Sequence, residues 1–285
     1  MLPFRRILVP VDFSRSCRAL TPHVVEMARY FNAEITLLHA FDLMAPYFDD
    51  VELGPGYHET LCRREQQRLQ EYAEELFPPA MVRFLVDSGE PGAVICNAVR
   101  RHGCDLVMLP THGRGGFRRL LLGSVAAKVL HDVSCAVWTG VHEQLRDRPL
   151  PVPYRTILCA LNNDDEASDV LRAAAAIAVS FDAKLALLHV VVTPPTAFEA
   201  DFAPYRAQLV DMADMQIRRM AHEAGIDAPL VIREGNIAAQ VREEVLERSA
   251  DLLVVGRGHA QGALGRLWSG LYETVRESPC PVLSI

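Results

Sequence analysis

The residues with most chemical content form one stretch, Asp105-Leu-Val-Met-Leu-Pro-Thr-His-Gly-Arg-Gly-Gly-Phe-Arg-Arg-Leu-Leu-Leu-Gly-Ser124. Gly113, Gly115 and Gly116 remove Cβ atoms where a backbone must turn sharply or let a ligand approach closely. Gly123-Ser124 opens a helical pattern, and the first N–H groups of a helix, which lack intrahelical partners, can hold an anion. Arg114, Arg118 and Arg119 could pair with phosphates as bidentate forks, although solvated surface charge is an equal reading for the last two. The stretch is a candidate phosphate cradle; a plain glycine-rich turn is the alternative. It has no lysine where G-x-x-x-x-G-K-[ST] requires one, so it is not a Walker A site. Asp12, closing the apolar run Arg6-Ile-Leu-Val-Pro-Val-Asp12, is the second chemical feature. A carboxylate acceptor facing a row of N–H donors suits a base with an exocyclic amine attached to a polyphosphate. The bland reading of Asp12 is a helix-capping acid. His112 lies in the loop, with no acid or nucleophile at a spacing that would make it a catalytic base.

The elements that must position these groups follow from pattern. Arg6 to Asp12 and Ala33 to Ala40 read as strands around a helix capped by Ser14, whose Leu20, Val24, Ala28 and Phe31 share a face. Phe41 to Gly56 reads as an exposed excursion, Tyr57 to Leu76 as a charged helix, and Val82 to Val86 as a third strand. Glu90-Pro91 starts a helix with Val94, Ile95, Ala98 and Val99 inward. The buried run Leu106 to Leu109, a helix from Ser124 to His131 and a strand from Cys135 to Thr139 complete the unit. His39 reads as a satisfied core histidine, as does its counterpart His189.

The pattern then restarts. Ile157-Leu-Cys-Ala-Leu-Asn162 repeats Ile7 to Asp12, and Leu187-Leu-His-Val190 repeats Leu37 to Ala40, both displaced by 150 positions. Gly235 and Asp251 to Gly256 repeat Gly89 and Asp105 to Pro110, displaced by 146. This predicts a duplicated α/β domain: two tandem, doubly wound parallel sheets with right-handed crossovers, at residues 1–141 and 154–285, joined by a proline-rich linker at 142–153. Ligands of such sheets bind beyond the carboxyl ends of the strands, where strand order reverses. That point joins Asp12 to the glycine loop only if the first and fourth strands are neighbours.

Composition narrows the function classes. A net charge of -7, with Lys128 and Lys184 the only lysines, argues against a general nucleic-acid binder. No apolar run reaches membrane-spanning length and Met1 to Arg6 has no signal-peptide pattern, so a cytoplasmic location is expected. Seven cysteines without a C-x-x-C suit buried thiols better than disulfides or zinc. No recognised catalytic or metal-ligand motif occurs.

Ile7-Leu-Val-Pro-Val-Asp12-Phe-Ser14, Leu37-Leu-His39, Thr111-His-Gly-Arg-Gly-Gly116 and Leu120-Leu-Leu-Gly-Ser-Val125 together resemble the universal stress protein family, here as a tandem pair. The resemblance implies a five-stranded Rossmann-like sheet per domain and pairing of domains through their last strands, here Val137-Trp138 and Val282-Leu283. In one branch it implies ATP held by a Gly-x-x-Gly, nine residues, Gly-Ser/Thr motif. Carried over, base contacts fall on Val11, Asp12 and Ala40, and the loop on Pro110, Thr111, His112, Gly113 and Arg114. Phosphate contacts fall on Gly123, Ser124 and Val125. Pro110 replaces the motif's first glycine, supplying no N–H and fixing φ.

In the second unit Asn162 replaces the acid. An ungapped reading puts Gly256, His259, Ser269 and Gly270 at the motif positions; a one-residue gap gives Gly258, Trp268 and Ser269. Either way the glycine that opens the helix is lost. The expectation is therefore one adenine nucleotide per chain, ATP or a relative, with or without Mg2+, in the first unit of a stress-response regulatory module. A nucleotide-free interaction scaffold is the alternative, a weak ATPase is a lesser one, and a homodimer is possible.

Overall fold

The computed structural model describes residues 4–41, 56–78, 82–113, 122–141, 153–162, 166–192, 199–257 and 266–285, without the side chains of 199–204 and 266–269. The expected excursion and linker thus lie almost wholly outside the described residues. The chain divides into two compact units, one running to Trp138 and the other from Thr139.

In the first unit the strands are β1 (Arg6–Pro10), β2 (Glu34–Phe41), β3 (Val82–Ser88), β4 (Leu106–Leu109) and β5 (Ala136–Thr139). Its helices are α1 (Arg15–Phe31), α2 (Tyr57–Leu76), α3 (Pro91–His102) and α4 (Ser124–Asp132). The sheet order is β3-β2-β1-β4-β5, with β1 parallel to both β2 and β4. Strand order reverses between β1 and β4, so the chain leaving β1 and the loop leaving β4 emerge side by side, as the binding hypothesis requires. The four residues of β4 are all buried, the reason an unbroken apolar run forms this strand.

The second unit repeats the plan. Its strands are β6 (Thr156–Ala160), β7 (Lys184–Val191), β8 (Leu230–Glu234), β9 (Leu252–Val255) and β10 (Val282–Ser284). Its helices are α5 (Ala167–Phe181), α6 (Glu199–Glu223), α7 (Ile237–Arg248) and α8 (Arg266–Glu277). The order β8-β7-β6-β9-β10 is that of the first unit.

The repeated residues hold equivalent joints. The Asp105 carboxylate accepts the N–H groups of Arg5 and Arg6 at the entry to β1, and that of Asp251 accepts those of Arg155 and Thr156 at the entry to β6. Each fixes the start of the central strand against its neighbour. Gly89 and Gly235, at φ 138 and 128, donate their N–H groups to Phe41 and Val191, one turn closing each outer crossover. Glu90 caps α3 by accepting from Gly92 and Ala93, and Asn236 caps α7 by accepting from Ala239.

Most strand and helix ends fall within one residue of the sequence reading, and two depart further. β3 extends to Ser88, and β1 ends at Pro10, which leaves Asp12 in the turn beyond the strand. The chain reverses there with Phe13 at φ 61, a left-handed conformation that a bulky side chain rarely adopts. No described helix is long and apolar enough to cross a membrane.

Candidate functional site

Beyond the carboxyl ends of β1 and β4 lies a cavity of about 600 Å³. Val11, Asp12, Ala40, Pro110, Thr111, His112, Gly113, Gly123, Ser124 and Val125 all line it, so ten of the residues singled out from the sequence meet at one place. Arg114, with Gly115, Gly116, Arg118 and Arg119, lies outside the described residues. The sequence reading missed Pro10, Leu38, Pro91, Ile95, Leu109, Leu122 and Ala126, which make much of the wall apolar. For Pro10, Leu38 and Leu109 a signal existed, since each stands at the carboxyl end of a strand.

Asp12 does two jobs. Its Oδ1 accepts the N–H of Ser14 at 2.9 Å and the thiol of Cys17 at 2.9 Å, which settles the carboxylate at the head of α1. The helix cap itself is Ser14, whose side chain accepts from the N–H of Cys17. Oδ2 lies over Gly113, where a Cβ would fall only 2.4 Å from it. A side chain at 113 would thus displace the acid, so it is the approach of Asp12 and not a positive φ that favours glycine here. Burial, then the charge of Asp12, push the Cys17 thiol up to about 12, so it stays a neutral donor to the carboxylate.

Across the cavity the glycine loop is closed at its neck. The N–H of Gly123 donates to the carbonyl of Thr111 at 2.9 Å, and a Cβ on Gly123 would stand 3.0 Å from that carbonyl. α4 begins immediately after. Its first N–H to bond back is that of Ala127, to Gly123, which leaves Ser124, Val125 and Ala126 with the N–H groups an α-helix cannot use. All three residues line the cavity. Chemically, the site has a hydrogen-bond-accepting acid at one end, N–H donors with the positive end of a helix dipole at the other, and an apolar floor between. Among the described lining residues Asp12 is the only acid.

The equivalent place in the second unit holds a cavity of about 100 Å³, lined by Asn162, Gly256, Arg257, Gly270 and Thr274 among others. α8 starts at Arg266, three residues before Ser269 and four before Gly270. In the ungapped alignment, Ser269 and Gly270 lie past the first three positions of α8, where the i→i−4 ladder takes their N–H groups; in the gapped alignment Trp268 stands in the first turn. His259 and Gly258 fall outside the described residues, as do the side chains of Trp268 and Ser269.

A family model for the universal stress protein family matches residues 3–139 and again 153–285. The chain belongs to this family. A universal stress protein of Methanocaldococcus jannaschii is 26% identical over 138 residues, spanning 47% of this chain and 80% of the relative. Universal stress protein A homolog 2 of Coxiella burnetii is 28% identical over 137 residues, 47% of this chain and 92% of its own. A universal stress protein structure from Archaeoglobus fulgidus superposes with a TM-score of 0.70 at 20% identity, covering 100% of this chain and 97% of that one. A functionally unknown protein from Pseudomonas aeruginosa gives 0.66 at 18% identity, covering 99% and 92%. These two likenesses concern the fold. Each curated relative spans about half of this chain, as expected where two universal stress protein units stand in tandem.

Proposed function

We propose that the first universal stress protein unit binds an adenine nucleotide such as ATP, one per chain, and that occupancy is the signal this chain passes on as a cytoplasmic stress-response module. The observation that carries the reading is the pairing, across one cavity, of the Asp12 carboxylate with the unused N–H groups of Ser124, Val125 and Ala126. Asp12, with Val11 and Ala40 beside it, takes the base through its exocyclic amine. Thr111, His112 and Gly113 wall the sugar and first phosphates, and Gly123, Ser124 and Val125 receive the outer phosphates. A charge-assisted bond to Asp12 contributes roughly 1.5 to 3 kcal/mol, and the helix terminus adds about 0.3 to 1 kcal/mol. Mg2+ fits only as a counter-ion carried by the polyphosphate, because Asp12, the one acid among the described lining residues, is committed to the base. Seven free cysteines suit a reducing compartment.

Pro110 favours a second reading, a nucleotide-free scaffold, because a proline in the wall offers no N–H to a ligand. Native mass spectrometry of the gently purified chain separates the two. A co-purifying adenine nucleotide at up to one per chain supports binding. An apo chain that also gives no heat with saturating ATP supports the scaffold.

A further inference from the structure

His39 stands behind the turn that carries Asp12. Its Nδ1 is 2.7 Å from the carbonyl oxygen of Val11, and a carbonyl only accepts, so Nδ1 carries a proton. Its Nε2 is 3.4 Å from Oε2 of Glu65 on α2, and both residues are buried. A deprotonated Nε2 would set a lone pair against a carboxylate, whereas a protonated one would complete an ion pair with it. Arg68 stands 3.3 Å from the same oxygen. Phe13, left-handed at φ 61, has its ring 4.6 Å from that of His39 and 5.5 Å from that of Tyr72, with the Arg68 guanidinium 4.0 Å above it. Glu65 therefore belongs to a knot that clamps the residues on either side of Asp12.

Among the described residues the second unit lacks this knot. His189 makes the same bond, with Nδ1 2.8 Å from the carbonyl of Leu161, but no acid pairs with it among the described residues. The histidine-to-carbonyl bond is thus common to both units, and the acid opposite Nε2 accompanies the unit that has Asp12.

We propose that Glu65 holds His39 as a buried imidazolium, and that this pair seats Phe13 and so aims Asp12 into the cavity. His39, Glu65 and Phe13 are positioning residues for the base-recognising end of the site. The role in ligand binding rests on the nucleotide reading; the protonation state of the ring and the hold on Asp12 do not. The other titratable or charged groups of the adjoining elements are Arg68 and Tyr72 on α2, Asp12, Cys17 and Arg18 at the head of α1, and Asp87 next along β3. Raising the pH until His39 loses its second proton sets its lone pair against Glu65, loosens α2 from Phe13 and weakens binding.

The test uses the full chain with nitrogen-15 spectroscopy of the histidine rings, His39 being assigned by the loss of its signal in His39→Gln. At about pH 7.5 the wild type shows both ring nitrogens of His39 protonated, and Glu65→Gln, whose amide can donate to a neutral Nε2, shows only Nδ1 protonated. Exchange of the Ser14 amide, which bonds Asp12, reads the aim of the acid without any ligand. It is unchanged in Glu65→Gln and about tenfold faster in Glu65→Ala, with ATP affinity weakened by about the same factor. The alkaline loss of affinity seen in the wild type disappears in Glu65→Gln. A singly protonated His39 in the wild type overturns the proposal, as does wild-type Ser14 exchange in a folded Glu65→Ala. If the wild type binds no ATP, the nucleotide reading fails, while the ring and amide measurements still decide the pair.

Discussion

The two units share a skeleton and differ in what they place at its mouth, one cavity being about 600 Å³ and the other about 100 Å³. Everything that sets the sheet is duplicated: the carboxylates of Asp105 and Asp251, the turns at Gly89 and Gly235, and the histidine bonds of His39 and His189. Among the described residues, the differences that face the cavity are the acid, the helix start and the residues behind the acid. Fold and site are thus separable in this chain. The second unit acts as an internal control in which the scaffold persists without the cavity-lining acid.

The largest expected effect comes from crowding the acid. Gly113→Ala puts a methyl group against Oδ2 of Asp12 and forces the carboxylate to turn away, so ATP affinity falls by up to about a hundredfold, as when the acid is removed. In the second unit, Gly256→Ala meets only the Val170 side chain, at 3.0 Å, and leaves affinity unchanged. Titration of both variants checks the contrast, and equal losses would break it.

Next in size is a pair of changes that should not distinguish the units. Asp105→Ala and Asp251→Ala each strip two backbone N–H groups of their acceptor and cost about 1 to 3 kcal/mol, read by urea unfolding. A marked asymmetry would show that the skeleton is not equivalent after all.

Alkaline pH should also act on both units. The first-unit thiol of Cys17 and the second-unit thiol of Cys280 are each pushed up to about 12, chiefly by burial. The folded chain keeps these protons while the unfolded chain loses them near 9.0, so the stability they contribute is present below that value and lost as pH rises towards 12. Urea midpoints at about pH 8 and about pH 10.5 should fall accordingly, and a midpoint that rises would contradict the assignment.

The smallest effect belongs to Pro110→Gly, which adds one N–H to the cavity wall but loosens the unfolded chain. Affinity should rise by no more than about fivefold. A much larger gain would mean that Pro110 is what holds the first site back.

The repeat, the alternation of strand and helix, and the two ends of the cavity were legible in the sequence because each rests on local pattern or identical spacing. Gly113 was legible as a glycine but not for its reason, since the approach of Asp12 joins residues about a hundred positions apart. The left-handed Phe13 gave no local sign, because its strain is balanced by Tyr72 and Arg68 from α2. Glu65 carries a sequence signal of its own: it sits on the buried stripe Leu61, Leu69, Tyr72, where an acid needs a partner. The early start of α8 could not be read at all, because Ser269-Gly270 looks like an opening wherever the helix begins.

The central claim is that one unit binds and the other does not, and calorimetric titration of the full chain with ATP tests it most directly. The account predicts a stoichiometry of about one, a loss of roughly tenfold to a hundredfold in affinity for Asp12→Ala, and little change for Asn162→Ala. Two equivalent sites per chain, or sensitivity confined to Asn162, would contradict it.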